Sequence, residues 1–98
     1  MMIKEGIEQV VLCHPKDNVA TAKSVLRRGT LLELPGGRKV EAREEIPFAH
    51  KMALRKISRG EAVIKYGERI GKATRAIEPG EWVHIHNVRG ERGKGSKK

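Results

Sequence analysis

His84 and His86 stand two residues apart in the stretch Trp82-Val83-His84-Ile85-His86-Asn87-Val88. On an extended strand that spacing puts both imidazoles on one face, roughly 6–7 Å apart along the backbone. Rings so placed could share a metal ion or grip one substrate, with Val83, Ile85 and Asn87 turned to the opposite face. A half-exposed strand must carry polar residues on one side in any case, and spacing alone favours that plainer reading. His50, in Ile46-Pro47-Phe48-Ala49-His50-Lys51, is a third imidazole that could complete the three-ligand set of a catalytic metal site. His14 precedes Pro15 and reads as a structural residue bonding its own turn.

Other chemistry finds little support. Cys13 ends an apolar stretch and reads as a small buried hydrophobe with no nucleophile motif around it. Gly36-Gly37 is a turn and lacks phosphate-loop spacing. Glu33, Glu41, Glu44 and Glu45 form no recognisable acid/base pair. The chain therefore does not read as a complete enzyme. Its aromatics are not interleaved with basic residues as a nucleic-acid stacking platform requires.

The elements that must position these residues belong to one small domain, because 98 residues leave too little interior for a second. Phe48, Tyr66 and Trp82 are the only aromatics, so the core must come from aliphatic side chains. The lone Cys13 permits no internal disulfide, and no apolar run approaches the ~20 residues that span a bilayer. With no apolar leader at its N-terminus either, the chain is expected in the cytoplasm. The net charge is +9, of which residues 89–98 carry +4, leaving +5 on residues 1–88. Such a balance suits a solvated surface with a flexible basic tail, 89–98, and permits only non-selective attraction to polyanions.

Along the chain, residues 7–13 predict a first strand. The stretch Val19 to Arg28 predicts one short helix, with Val19, Ala22, Val25 and Leu26 on one face and Gly29 past its end. Strands are expected at 30–34, 39–42, 51–54, 62–66, 70–75 and 82–88, with glycine turns between them. Leu26-x-x-Gly29-Thr30-x-Leu32, Ile57-x-x-Gly60-Glu61-x-Val63 and Ile77-x-x-Gly80-Glu81-x-Val83 repeat one device. In each, a core residue precedes a tight turn whose glycine can take positive φ, and a strand follows.

Four blocks in order carry a resemblance. They are His14-Pro15-Lys16-Asp17-Asn18-Val19-Ala20-Thr21-Ala22, Ile46 to Leu54, Val63 to Thr74, and Ile77-Glu78-Pro79-Gly80-Glu81-Trp82-Val83-His84-Ile85-His86-Asn87-Val88. Over roughly residues 7–88 the chain resembles the SAF domain of the altronate/galactarate dehydratase family. The resemblance implies a mainly β fold, a β-clip of short strands and hairpins with one short helix, over residues 1–88. It implies the small subunit of a sugar-acid hydro-lyase, inactive alone and partnered by a large catalytic subunit; the similar sulfolactate sulfo-lyases keep this domain as a separate small polypeptide. The implied reaction removes a proton α to a carboxylate and expels a β substituent, with a divalent metal such as Fe²⁺ or Mn²⁺ as cofactor. The positions carried over are His50, His84 and His86 as metal ligands, and Lys51 and Asn87 as contacts to the carboxylate substrate. SAF-type domains also serve sialic-acid synthases, antifreeze proteins and flagellar assembly proteins, so a non-catalytic binding module is the second reading, and a basic nucleic-acid binder the third.

Overall fold

The computed structural model describes residues 9–90. Nine short strands run through it: β1 Val10–Val11, β2 Val19–Ala22, β3 Leu31–Glu33, β4 Lys39–Glu41, β5 Lys51–Ala53, β6 Ala62–Lys65, β7 Glu68–Ala73, β8 Trp82–Val83 and β9 Val88–Gly90. A single 3₁₀ turn, Pro35–Gly37, joins β3 to β4. The strands form a four-stranded sheet in the order β1-β2-β5-β8, a β3-β4 hairpin, and a three-stranded sheet β6-β7-β9. Every described pairing is antiparallel. The mainly β fold expected of a β-clip domain is the one observed.

The four-stranded sheet is the wall between two small cores, because successive side chains on a strand point to opposite faces. Ala20, Ala22 and Met52 join Leu26, Leu32, Val40 and Ile46 on one side, with Trp82 packed against them. Val19, Ala53 and Val83 join Ile57, Val63 and Ile77 on the other. Register keeps the sets apart: Ala20 faces Met52, and Met52 faces Trp82.

The expected helix over Val19 to Arg28 is not there. Val19–Ala22 is β2, and Val25, assigned to the helix's apolar face, is 52% exposed. Asn18 decides the matter. Its side-chain amide donates to Ala62 O at 2.9 Å and its Oδ1 accepts from Ile64 N at 2.8 Å, while its own backbone bonds Ile64 and Leu54. That anchorage holds the chain extended into β2, and the tertiary pairing outweighs a weak local preference. Asp17 accepts from Tyr66 N and Gly67 N, holding the tight β6–β7 turn. His14 does bond its own turn, accepting at Nδ1 from Lys16 N.

The turn device recurs four times, three times with glycine and once with alanine. Gly29, Gly60 and Gly80 take φ of 90°, 86° and 89°, and Ala49 takes the equivalent place at 71°. Leu26 and Ile46 exchange backbone hydrogen bonds, and so do Ile57 and Ile77, so the four turns clip together in two pairs. Ala49 adopts a left-handed conformation that costs an L-residue about 1–2 kcal/mol, immediately before His50.

Several boundaries shift: β7 runs Glu68–Ala73 where 70–75 was expected. The strand expected over 82–88 divides into β8 and β9 around a tight turn at residues 84–87. Arg89 and Gly90, assigned to the tail, belong to β9 and pair with Lys72 and Gly71. The rest of the expected tail lies outside the described residues, as does the start of the strand expected over 7–13.

Thr21 carries a buried hydroxyl that finds no hydrogen-bond partner among the described residues. Leaving such a group unpaired costs about 1–3 kcal/mol. Thr21→Val, which replaces the hydroxyl by a methyl of similar size, is therefore expected to leave stability unchanged or raise it by about 1 kcal/mol. A urea midpoint that falls would show that the hydroxyl has a partner.

Candidate functional site

His50, Trp82 and His84 meet at β8, the edge strand of the four-stranded sheet. His50 immediately precedes β5 and His84 immediately follows β8, and antiparallel pairing of Met52 with Trp82 brings the two ends side by side. Trp82 packs against both. Its indole Nε1–H donates to His50 Nδ1 at 3.1 Å, and its ring stacks on that of His84 at 5.5 Å and 8°. The His50 and His84 rings are 4.7 Å apart, and His86 touches the Trp82 ring at 5.2 Å. The backbone of Trp82 is fixed in turn by Glu44, whose Oε2 accepts from Trp82 N at 2.9 Å.

The turn after β8 is closed by Asn87. Its Oδ1 accepts from His84 N and its Nδ2 donates to Trp82 O, both at 2.9 Å, and the side chain is 1% exposed. Thr74 N donates to Asn87 O, tying the turn to the end of β7. The amide expected to touch substrate is thus turned inward, where it supports the turn that carries His84. Ile85, expected in the core, is 83% exposed. Strand alternation fails from His84 onward because the chain has left the sheet. Both histidines still reach one side of the domain, gathered by Trp82 instead of by a pleat.

His84 is half-buried, and its pKa lies below the ordinary histidine value. Loss of solvation is the main cause, followed by the nearby charges of His50, Lys51 and His86. At neutral pH its imidazole is therefore uncharged and offers a lone pair. Lys51 opens β5 opposite Val83, so its charge is carried on the strand next to the cluster.

Among the described residues no three His, Cys, Asp or Glu are placed to hold one ion. An open, mostly basic cleft of about 400 Å³ lies elsewhere, lined by Arg28, Lys39, Glu41 and Arg43 and by none of the imidazoles. Cys13, expected to be buried, is half-exposed with Lys65 Nζ 3.8 Å from its sulfur. Sequence reasoning passed over Trp82 and Glu44 as site residues. The available signal was the indole two residues before His84, which on a strand end must lie against that ring.

A profile of the altronate/galactarate dehydratase SAF domain matches residues 8–91. The chain belongs to that family. The SAF domain is 32% identical over 83 residues to an altronate dehydratase of Bacillus subtilis, covering 85% of this chain and 16% of that protein. It is 41% identical over 81 residues to an altronate dehydratase of Escherichia coli, covering 83% and 16%. Against the (2R)-sulfolactate sulfo-lyase subunit alpha of Chromohalobacter salexigens it is 44% identical over 52 residues, covering 53% and 55%. The SAF domain thus spans a small part of the dehydratases and about half of the sulfo-lyase subunit. These relatives are lyases or subunits of lyases, and the domain is of lyase descent. No described helix is long and apolar enough to cross a membrane.

Proposed function

We propose that this SAF domain is the small component of a sugar-acid hydro-lyase of the altronate/galactarate type, and that it presents the His50–Trp82–His84 face to an active site completed by a larger unit. The observation that carries this reading is the imidazole pair held 4.7 Å apart at the edge strand, with a cation beside it, in a domain that matches only 16% of the length of two altronate dehydratases. Lys51 would meet the substrate carboxylate through a charge-assisted hydrogen bond. His84, neutral at pH 7, would accept a proton or a hydrogen bond from a substrate hydroxyl. The base that takes the α proton would come from the larger unit, since the described carboxylates form no pair at this face. A divalent metal such as Fe²⁺ or Mn²⁺ would need most of its ligands from that unit as well.

A second reading, the corresponding subunit of a sulfolactate sulfo-lyase, is favoured by the 44% identity to a relative named as a separate subunit. The two differ in the leaving group, water or sulfite, and not in the α-proton step. One assay separates them. The SAF domain alone is expected to turn over neither altronate, galactarate nor sulfolactate. Expressed together with a large lyase unit from the same source, it should co-purify and release water from a sugar acid. Sulfite release would select the second reading, and robust turnover by the domain alone would exclude both.

A further inference from the structure

The indole of Trp82 constrains which proton His50 can carry. A neutral imidazole has one N–H and one lone pair, and an indole nitrogen can only donate. Trp82 Nε1–H points at His50 Nδ1 over 3.1 Å, so that nitrogen must supply the lone pair. A flipped ring would set a carbon against the indole N–H and leave a half-buried donor unpaired, which the observed contact avoids. The proton of His50 is then on Nε2. In this state His50 has no second lone pair. A metal at Nε2, or a proton taken there, requires the hydrogen to sit on Nδ1, where it would collide with the indole hydrogen.

We infer that Trp82 is a positioning residue that locks His50 as the Nε2–H tautomer, so that His50 acts in this site as a hydrogen-bond donor and neither as a metal ligand nor as a base. This agrees with the failure of His50, His84 and His86 to form a three-donor group. It also divides the labour between two adjacent rings. His50 offers a hydrogen, and His84, stacked on the other contact of the same indole, offers a lone pair. A donor and an acceptor on rings whose centroids are 4.7 Å apart suit a ligand with both a carboxylate oxygen and a hydroxyl, such as a 2-hydroxy acid. The assignment of a ligand rests on the function proposed above; the tautomer does not.

Long-range ¹⁵N–¹H correlation spectra of the full chain, at a pH where its imidazoles are neutral, test the tautomer directly. His50 Nε2 is expected at the protonated position and Nδ1 at the unprotonated one, with a through-hydrogen-bond coupling between Trp82 Nε1 and His50 Nδ1. Trp82→Phe keeps an aromatic ring beside His84 and should abolish the coupling and shift both His50 nitrogens toward tautomer averaging. A protonated Nδ1 in the wild type, or nitrogen shifts unmoved by Trp82→Phe, overturns the inference whatever the enzyme's activity. In the assembled lyase His50→Gln, which can still donate a hydrogen bond, should keep at least tenfold more turnover than His50→Ala. Equal loss in both variants would mean that His50 serves as a ligand or base, and would sink the donor role while leaving the lyase reading intact.

Discussion

His84→Ala is expected to lower turnover of the assembled lyase by roughly two orders of magnitude or more, the ordinary scale for losing a positioned proton-transfer group. The domain should stay folded. The backbone of residue 84 is held by Asn87 Oδ1 and by the turn it closes, and neither contact needs the imidazole. Because desolvation and the neighbouring cations lower the His84 pKa, the ring stays neutral until the pH drops below the ordinary 6.5. The acid limb of the rate profile that reports His84 should therefore fall below pH 6.5 and disappear in the variant. Stability follows the same sign. The unfolded chain takes up the proton first, so the contribution of the neutral ring is complete above 6.5 and is lost as pH falls through the depressed folded value. Ile85→Ala is the control, since its side chain is 83% exposed and its removal should change stability by less than about 0.5 kcal/mol. Turnover of the complex and thermal denaturation of both variants decide the matter. A His84 variant that assembles and works like wild type would reduce the cluster to a polar surface.

Gly80→Ala is expected to destabilise the domain by about 3–5 kcal/mol, the range reserved for backbone clashes with no room to relax. The residue has φ of 89°, and a Cβ there would fall onto the carbonyl oxygen of Glu41, with Arg43 N 3.1 Å away. Neither neighbour is a flexible side-chain tip. Gly80 N also donates to Ala53 O at 2.8 Å and Gly80 O accepts from Arg43 N at 2.9 Å, so it joins the second pair of clipped turns to the first. Gly60 supplies the comparison. Its φ of 86° is nearly the same, yet nothing lies within 4 Å of an added Cβ. Gly60→Ala should therefore cost only the left-handed strain of an alanine, about 1–2 kcal/mol. Urea titrations of the two variants measure the difference, and equal midpoints would show that the close approach at Gly80 relaxes freely.

Much of the fold was legible because its signals are local. Leu31–Glu33, Lys39–Glu41, Lys51–Ala53 and Ala62–Lys65 all fall within the expected strands. The glycine turns at 29, 60 and 80 take the positive φ that their pattern demanded. The fourth turn was missed because Ala49 stands where a glycine was sought, and an alanine is held there only by contacts made around it. The helix expected at Val19 was a reading of four apolar positions, and nothing nearby in sequence announces that Asn18 will be bonded to residues 62 and 64.

For the site, residue type and spacing brought out His50, His84 and His86, three of the four imidazoles in the chain, and the family resemblance added Lys51. Their arrangement was beyond sequence. Period-two alternation placed Ile85 in the core, and it fails because Asn87 bends the chain out of the sheet one residue earlier. The meeting of His50 with His84 depends on a strand pair thirty residues apart in sequence, fixed by Met52 opposite Trp82. Side-chain chemistry belongs to the residue and is read directly. Which nitrogen faces which hydrogen is set by long-range register, and only the folded chain decides it.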